Sequence, residues 1–168
     1  MNDRLIFLDI DGVLNNHVAL KNGINSLDRQ NVEQLNILIR ATGAHLVISS
    51  AWRYMILGGA MTLDGFRYML MTHGLTHEAR IVGHTCPDYA MMERGDQIAL
   101  YLATEVSGKP RYVVLDDGSE LPQGENRSMT QSLYDAHGYR WIAVDGSLGL
   151  MAHNVESAVA ILDGRVTS

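Results

Sequence analysis

Arg4-Leu5-Ile6-Phe7-Leu8-Asp9-Ile10-Asp11-Gly12 is the stretch whose reading decides the fold. Leu5 to Leu8 form an unbroken apolar run, as in a strand buried on both faces, and such strands belong to parallel sheets covered by helices. The run stops at Asp9, Asp11 follows with one residue between, and Gly12 suits a turn. A buried strand that ends in two acids is therefore expected at the start of the chain.

The alternation continues outward from there. From Leu27 to Ala41, Val32, Leu35 and Leu38/Ile39 have helical spacing, and Gly43 is a stop signal. His45 to Ser49 predicts a second strand. Thr62 is predicted to cap a helix carrying Phe66, Met69 and Leu70, closed by Gly74, with a very short strand at Arg80 to Gly83. Ile98, Tyr101 and Leu102 mark a helix beginning near Arg94, and Tyr112 to Asp116 and Trp141 to Val144 read as strands. Asn154 is predicted to cap a last helix with Val155, Ala158, Val159 and Leu162 at helical spacing. This pattern, without linker or repeat, predicts one three-layer α/β/α domain over residues 1–168, with a mainly parallel, Rossmann-like sheet.

Composition sets the outer limits. The chain has 168 residues, 46% hydrophobic and 19% charged, enough to bury a core without a disulfide framework or a structural metal. Apolar stretches run to only about five residues against the roughly 18 a spanning helix requires, so no membrane partner is expected. The first residues lack the basic start and apolar core of a secretory signal, and a cytoplasmic location is expected. A net charge of −6 disfavours a long footprint on a nucleic-acid backbone, which needs a basic face. Recognition of a single phosphate stays open. The lone Cys86 excludes an internal disulfide and reads as a small half-buried filler.

Ligands of open parallel α/β sheets bind beyond the carboxyl ends of the strands, and three strands here end in polar residues. These are Asp9-Ile10-Asp11-Gly12, Ser49-Ser50-Ala51-Trp52-Arg53 and Asp116-Asp117-Gly118. Singly, each is adequately explained as a turn or a local cap. Together they bring four acids to one sheet edge, where mutual repulsion calls for a cation, and the hard oxygens suit Mg²⁺. The Ser hydroxyls and Arg53 suit phosphate.

At these residues the chain resembles a known family. Phe7 to Asn15 is similar to the first motif of the haloacid dehalogenase (HAD) superfamily of phosphotransferases, Val47-Ile48-Ser49 to its second, and Val113 to Asp117 to its fourth. Arg94, 22 residues before Asp116, stands for the basic third motif, usually Lys; Lys109, next to Pro110, is the competing residue. The fuller runs Ser49 to Arg53, Arg94 to Ile98 and Tyr112 to Asp117 resemble the small HAD subgroup associated with nucleic-acid repair proteins. The resemblance implies Asp9 as nucleophile forming an aspartyl-phosphate, Asp11 as general acid and base, and Ser49 and Arg94 as holders of the phosphoryl oxygens. It also implies Mg²⁺ held by Asp9, the main-chain carbonyl of Asp11, and Asp116, with Asp117 as a direct ligand or as the orienter of a metal-bound water.

Neither interval in which HAD enzymes insert a cap domain has room for one, so an open site without a large cap is expected, with residues 54–62 as a small lid. That favours a nucleotide or polynucleotide-end phosphate, with Ser50, Trp52 and Arg53 as substrate-binding residues. Trp52 and Tyr54 would stack on a base, while Arg53 would contact a second anion or only fix its loop. The alternatives are the same chemistry on a phosphoprotein or small phosphometabolite, and a non-catalytic HAD-like binding module. His73, His77, His84 and Cys86 are zinc-ligand types, but Gly74 ends the helix at His73 and removes the helical face that would pair His73 with His77.

Overall fold

The structure, a computed structural model, describes residues 3–21, 26–85, 92–118 and 127–166. Cys86 lies outside the described residues. Five strands, β1 (Arg4–Leu8), β2 (His45–Ile48), β3 (Ile81–His84), β4 (Arg111–Asp116) and β5 (Trp141–Ala143), form one sheet in the order β3-β2-β1-β4-β5. Every pairing is parallel. The chain runs outward from β1 to β2 and β3, returns across the sheet to β4, and continues to β5. The direction of travel therefore reverses between β1 and β4, and such a switch point opens a crevice at the strands' carboxyl ends.

Helices cover both faces, as alternation along buried strands requires. On one face Ile6, Leu8, Leu46, Ile48, Val113 and Leu115 pack with α2 (Arg29–Thr42), α4 (Leu63–Thr72) and α7 (Ala152–Leu162). On the other, Leu5, Phe7, Val47 and Val114 pack with α5 (Arg94–Thr104) and α6 (Arg127–His137) through Ile98 and Leu133. Phe7 stands edge-on to both Tyr101 (5.7 Å) and Tyr112 (5.8 Å). Each such pair contributes about 0.5–1.5 kcal/mol beyond area burial. The expected three-layer α/β/α core is thus present, and besides the helices of these layers the intervals between the strands hold, among the described residues, the short helices α1 (His17–Lys21) and α3 (Tyr54–Leu57).

Local signals act as read at several points. Thr62 accepts from the Gly65 amide at 3.0 Å, and Gly43 ends α2 with φ +63, its N–H donating to the Ile39 carbonyl. Asn154 differs from expectation: Met151 is the N-cap of α7, and Asn154, three residues in, reaches back to accept the Met151 amide at 3.0 Å. The side chain serves the same helix end from the other half of the capping arrangement. Helix α6 was not expected: most of its residues are polar, so its few apolar positions do not stand out in the sequence.

α5 and α6 approach closely at Gly95. A Cβ there would run into the Ser132 backbone, and the Gly95 carbonyl accepts from Nε2 of the buried His137 at 2.9 Å. That bond fixes the imidazole tautomer, leaving Nδ1 to accept from the Tyr112 hydroxyl at 3.1 Å. Burial holds His137 below its usual pKa, which suits the neutral ring. Gly95→Ala should lower unfolding free energy by about 1–3 kcal/mol through overpacking. Intrinsic helix propensity alone would raise it by about 1 kcal/mol. A denaturant melt gives the sign, and unchanged or higher stability would contradict this packing.

Candidate active site

The sheet register places the chemistry. β1 pairs Leu8 with Ile48 on one side and Leu115 on the other, so the next row carries Ser49, Asp9 and Asp116. Ladder bonds continue into that row, from the Asp9 amide to Leu115 and from the Ser49 amide to Leu8, both at 3.0 Å. Asp9 and Asp116 therefore sit side by side at the β1/β4 switch point. Asp9 is 3% exposed and Asp116 fully buried.

Two buried carboxylates on adjacent strands repel and have both lost water. Arg94, the first residue of α5, offsets this with one nitrogen: Nη1 donates to Asp9 Oδ2 at 2.6 Å and to Asp116 Oδ2 at 2.7 Å. Burial works against the guanidinium charge, but the Asp9 and Asp116 carboxylates outweigh it and hold Arg94 protonated, above its ordinary range. Even so, burial and the Asp9 charge leave the Asp116 carboxyl pushed up to about 7, against the lowering effects of Arg94 and the Gly118 amide. The remaining oxygens are also fixed: the Ile10 amide donates to Asp9 Oδ1 and the Gly118 amide to Asp116 Oδ1, each at 2.8 Å. Lys109 lies before the start of β4, at the opposite end of the strand from Asp116, and is exposed. The geometry thus puts Arg94, not Lys109, beside the acids.

Asp117 completes an acidic group. Carboxylate oxygens of Asp9, Asp116 and Asp117 lie within 4.8 Å of one another, close enough to share one cation. The half-buried Asp117 side chain occupies space that a Cβ on Gly12 or Gly146 would take, and Gly12 has φ +75, so glycine at 12 serves both the turn and the approach of the acid.

Asp11 turns away from that group. Its Oδ1 accepts from Asn15 Nδ2 at 2.8 Å and its Oδ2 from the Trp52 indole at 2.9 Å, while Asn15 Oδ1 accepts the Gly12 amide. The sequence motif gives the fully buried Asn15 no role of its own. An acid followed four residues later by an amide side chain across a glycine turn was the available signal.

The expected substrate-binding trio is turned inward. Ser50 is buried, and its hydroxyl accepts the Trp52 amide at 3.3 Å, capping the short helical turn Ala51–Arg53. Trp52, 8% exposed, packs in the apolar core and donates through its indole to Asp11. Arg53, 4% exposed, donates through Nη1 to the Ser49 and Ser50 carbonyls (2.7 and 2.8 Å) and through Nη2 to Gln97 Oε1 (2.9 Å). Gln97, one turn after Arg94, was missed by sequence reading; its amide donates in turn to the Met92 carbonyl. Arg53 therefore ties the end of β2 to the start of α5. Tyr54 is exposed and lies under the Arg53 guanidinium, 5.1 Å from its ring centroid.

Ser49 is fully buried, and its hydroxyl has no hydrogen-bond partner among the described residues. A buried hydroxyl left unpaired is uncommon, and this one lies in the row that carries Asp9. Among the described residues, Asp9, Asp116 and Asp117 are the one group of His, Cys, Asp or Glu side chains close enough to hold a metal ion, so the described histidines form no such group. No helix among them is long and apolar enough to cross a membrane.

Comparison with known proteins agrees with this geometry. No curated protein and no solved structure gives a significant match. Residues 5–155, most of the chain, match the model of the family described as the HAD domain in Swiss Army Knife RNA repair proteins. The row of Asp9, Ser49 and Asp116 under Arg94 is the edge at which the HAD-like motifs meet, and the chain belongs to this family of HAD domains from RNA repair proteins.

Proposed function

We propose that the chain is a Mg²⁺-dependent phosphomonoesterase that works through phosphorylation of Asp9 and acts on a nucleotide or polynucleotide-end phosphate. The observation that carries this reading is the buried row in which Arg94 bridges Asp9 and Asp116 beside the unpaired Ser49 hydroxyl. Family membership supports a phosphatase, and the family's RNA-repair proteins support a nucleic-acid-related substrate.

The residues fit a magnesium ion. Three carboxylates within mutual reach form a hard-oxygen set, to which the resemblance adds the Asp11 carbonyl, and Asp9, Asp116 and Asp117 would hold the ion. When bound, it would supply positive charge against the phosphoryl oxygens. Asp9 attacks phosphorus while Arg94 and Ser49 hold the phosphoryl oxygens, so that positioning and electrostatics provide most of the rate. Asp11 gives a proton to the leaving oxygen and later takes one from the water that hydrolyses the aspartyl-phosphate. Asn15 and Trp52 hold the Asp11 carboxylate in place for both steps. Ser50, Trp52 and Arg53 act by shaping the strand end, and Tyr54 with the loop at 54–62 is the surface left to meet the rest of the substrate.

Screening nucleotides, 3′- and 5′-phosphorylated oligonucleotides, sugar phosphates and phosphopeptides with Mg²⁺ tests the substrate class directly. A preference for phosphopeptides or sugar phosphates would overturn the nucleotide assignment. Asp9→Asn, nearly the same in volume, should fold normally and lose about 10³-fold or more in kcat. Wild-type turnover by folded Asp9→Asn would rule out the mechanism. Asp11→Asn should cost about 10²–10⁴-fold on an alkyl phosphate, and less in the first step on an aryl phosphate, whose leaving group needs no proton. Equal first-step losses would contradict the acid role.

The raised Asp116 pKa makes the metal visible in stability. A carboxyl with a folded pKa near 7 and an unfolded value of 3.8 leaves the metal-free fold unpenalised below about pH 4, and stability falls as pH rises toward 7. Mg²⁺ favours the ionised form, so it should raise Tm clearly at pH 8 and progressively less as pH falls through 7 toward 5. Thermal melts at several pH values check this, and an increment independent of pH, or absent throughout, would contradict an ion at these carboxylates.

A further inference from the structure

We infer that Thr85, at the end of β3, is a second hydroxyl donor to the phosphoryl oxygens beside Ser49, extending the oxyanion site by one strand. The inference rests on the phosphate-directed reading of the site and names a residue that neither the family motifs nor the sequence reading assigns.

Register places the residue. β2 and β3 pair Ile48 with His84, and the Thr85 amide donates to the Ile48 carbonyl at 2.9 Å, as the Ser49 amide does to Leu8. The row that holds Asp116, Asp9 and Ser49 therefore continues to Thr85. Alternation puts all four on one face. Two residues earlier the same row holds Val114, Phe7 and Val47, which pack in the cluster with Ile98 and Tyr101 of α5. It ends at Gly83, where a Cβ would meet the Tyr101 ring. Arg94, at the head of that helix, confirms the face for Asp9 and Asp116.

Chemistry then distinguishes Thr85 from a bystander. Thr85 is fully buried, and its hydroxyl, like that of Ser49, has no hydrogen-bond partner among the described residues. A buried unpaired hydroxyl is costly and rare, and two in adjacent positions on one face share a reason. Neighbouring strands lie about 4.8 Å apart. Two hydroxyls at that spacing, each about 2.7 Å from its acceptor, can converge on one oxyanion. Asp9 is itself only 3% exposed, so whatever admits a phosphoryl group to the nucleophile admits it to the row.

The test compares Thr85→Val, which keeps the shape and removes the hydroxyl, with Thr85→Ser, which keeps the hydroxyl. The probe is inorganic phosphate, titrated with Mg²⁺ present. In phosphate-free buffer Thr85→Val should melt about 2 °C or more higher than wild type, because it removes an unsatisfied group. Its phosphate affinity should fall about tenfold, and Thr85→Ser should recover the affinity to within about threefold. An affinity loss under threefold in Thr85→Val would overturn the inference whatever the melting temperature. So would failure of Thr85→Val to fold where Thr85→Ser folds, since the protein itself would then need the hydroxyl. If affinity and melting temperature both fall in Thr85→Val, recovery of affinity by Thr85→Ser supports the inference and its absence overturns it. Phosphate binding needs no turnover, so a protein that hydrolyses no monoester still reports on Thr85, whereas the phosphomonoesterase reading fails on Asp9→Asn.

Discussion

One guanidinium nitrogen lies between two buried carboxylates, and the rest of the site depends on it. Asp9 and Asp116 are neighbours because β1 and β4 pair in parallel at the point where the chain reverses its direction across the sheet. Without a cation in reach, two desolvated acids at that spacing could not both stay ionised. Arg94 supplies charge that offsets part of this cost, and its position is itself held from several sides. Gly95 lets α5 close on α6, His137 holds the Gly95 carbonyl, and Arg53 braces Gln97 from the end of β2. Much of one helical layer thus serves the placement of one side chain.

The use of arginine where related motifs carry lysine has a simple physical resolution. A guanidinium is bulkier than an ammonium, but only Nη1 touches the acids, and its two hydrogens serve both carboxylates. The nitrogen does what an ammonium would do, with the permanent charge of arginine behind it.

The strand ends were legible because a short apolar run that stops at an acid has few other readings, and Asp9, Ser49 and Asp116 were found in that way. Their juxtaposition was not legible from periodicity, since strand order is fixed by contacts distant in sequence. Helix α6 escaped because polar residues dominate its sequence; Leu133 is the α6 residue seen in the apolar cluster beneath it among the described side chains. Arg53 and Trp52 show another limit. Spacing put them next to the site, yet cannot say whether a long polar side chain turns out to a substrate or inward to carbonyls and carboxylates. Asn15 and Gln97 act only through partners, Asp11 and Arg53, whose orientation the fold decides.

Whether Asp9 is the nucleophile is tested most directly by looking for phosphate on it. The Mg²⁺-loaded protein is mixed with a radiolabelled phosphomonoester, quenched in acid during turnover and digested. Label is expected on the peptide containing Asp9, released by hydroxylamine as an acyl-phosphate should be and absent from Asp9→Asn. Turnover with no acid-stable label in a slowed variant such as Asp11→Asn, or label on a peptide without Asp9, would contradict that role.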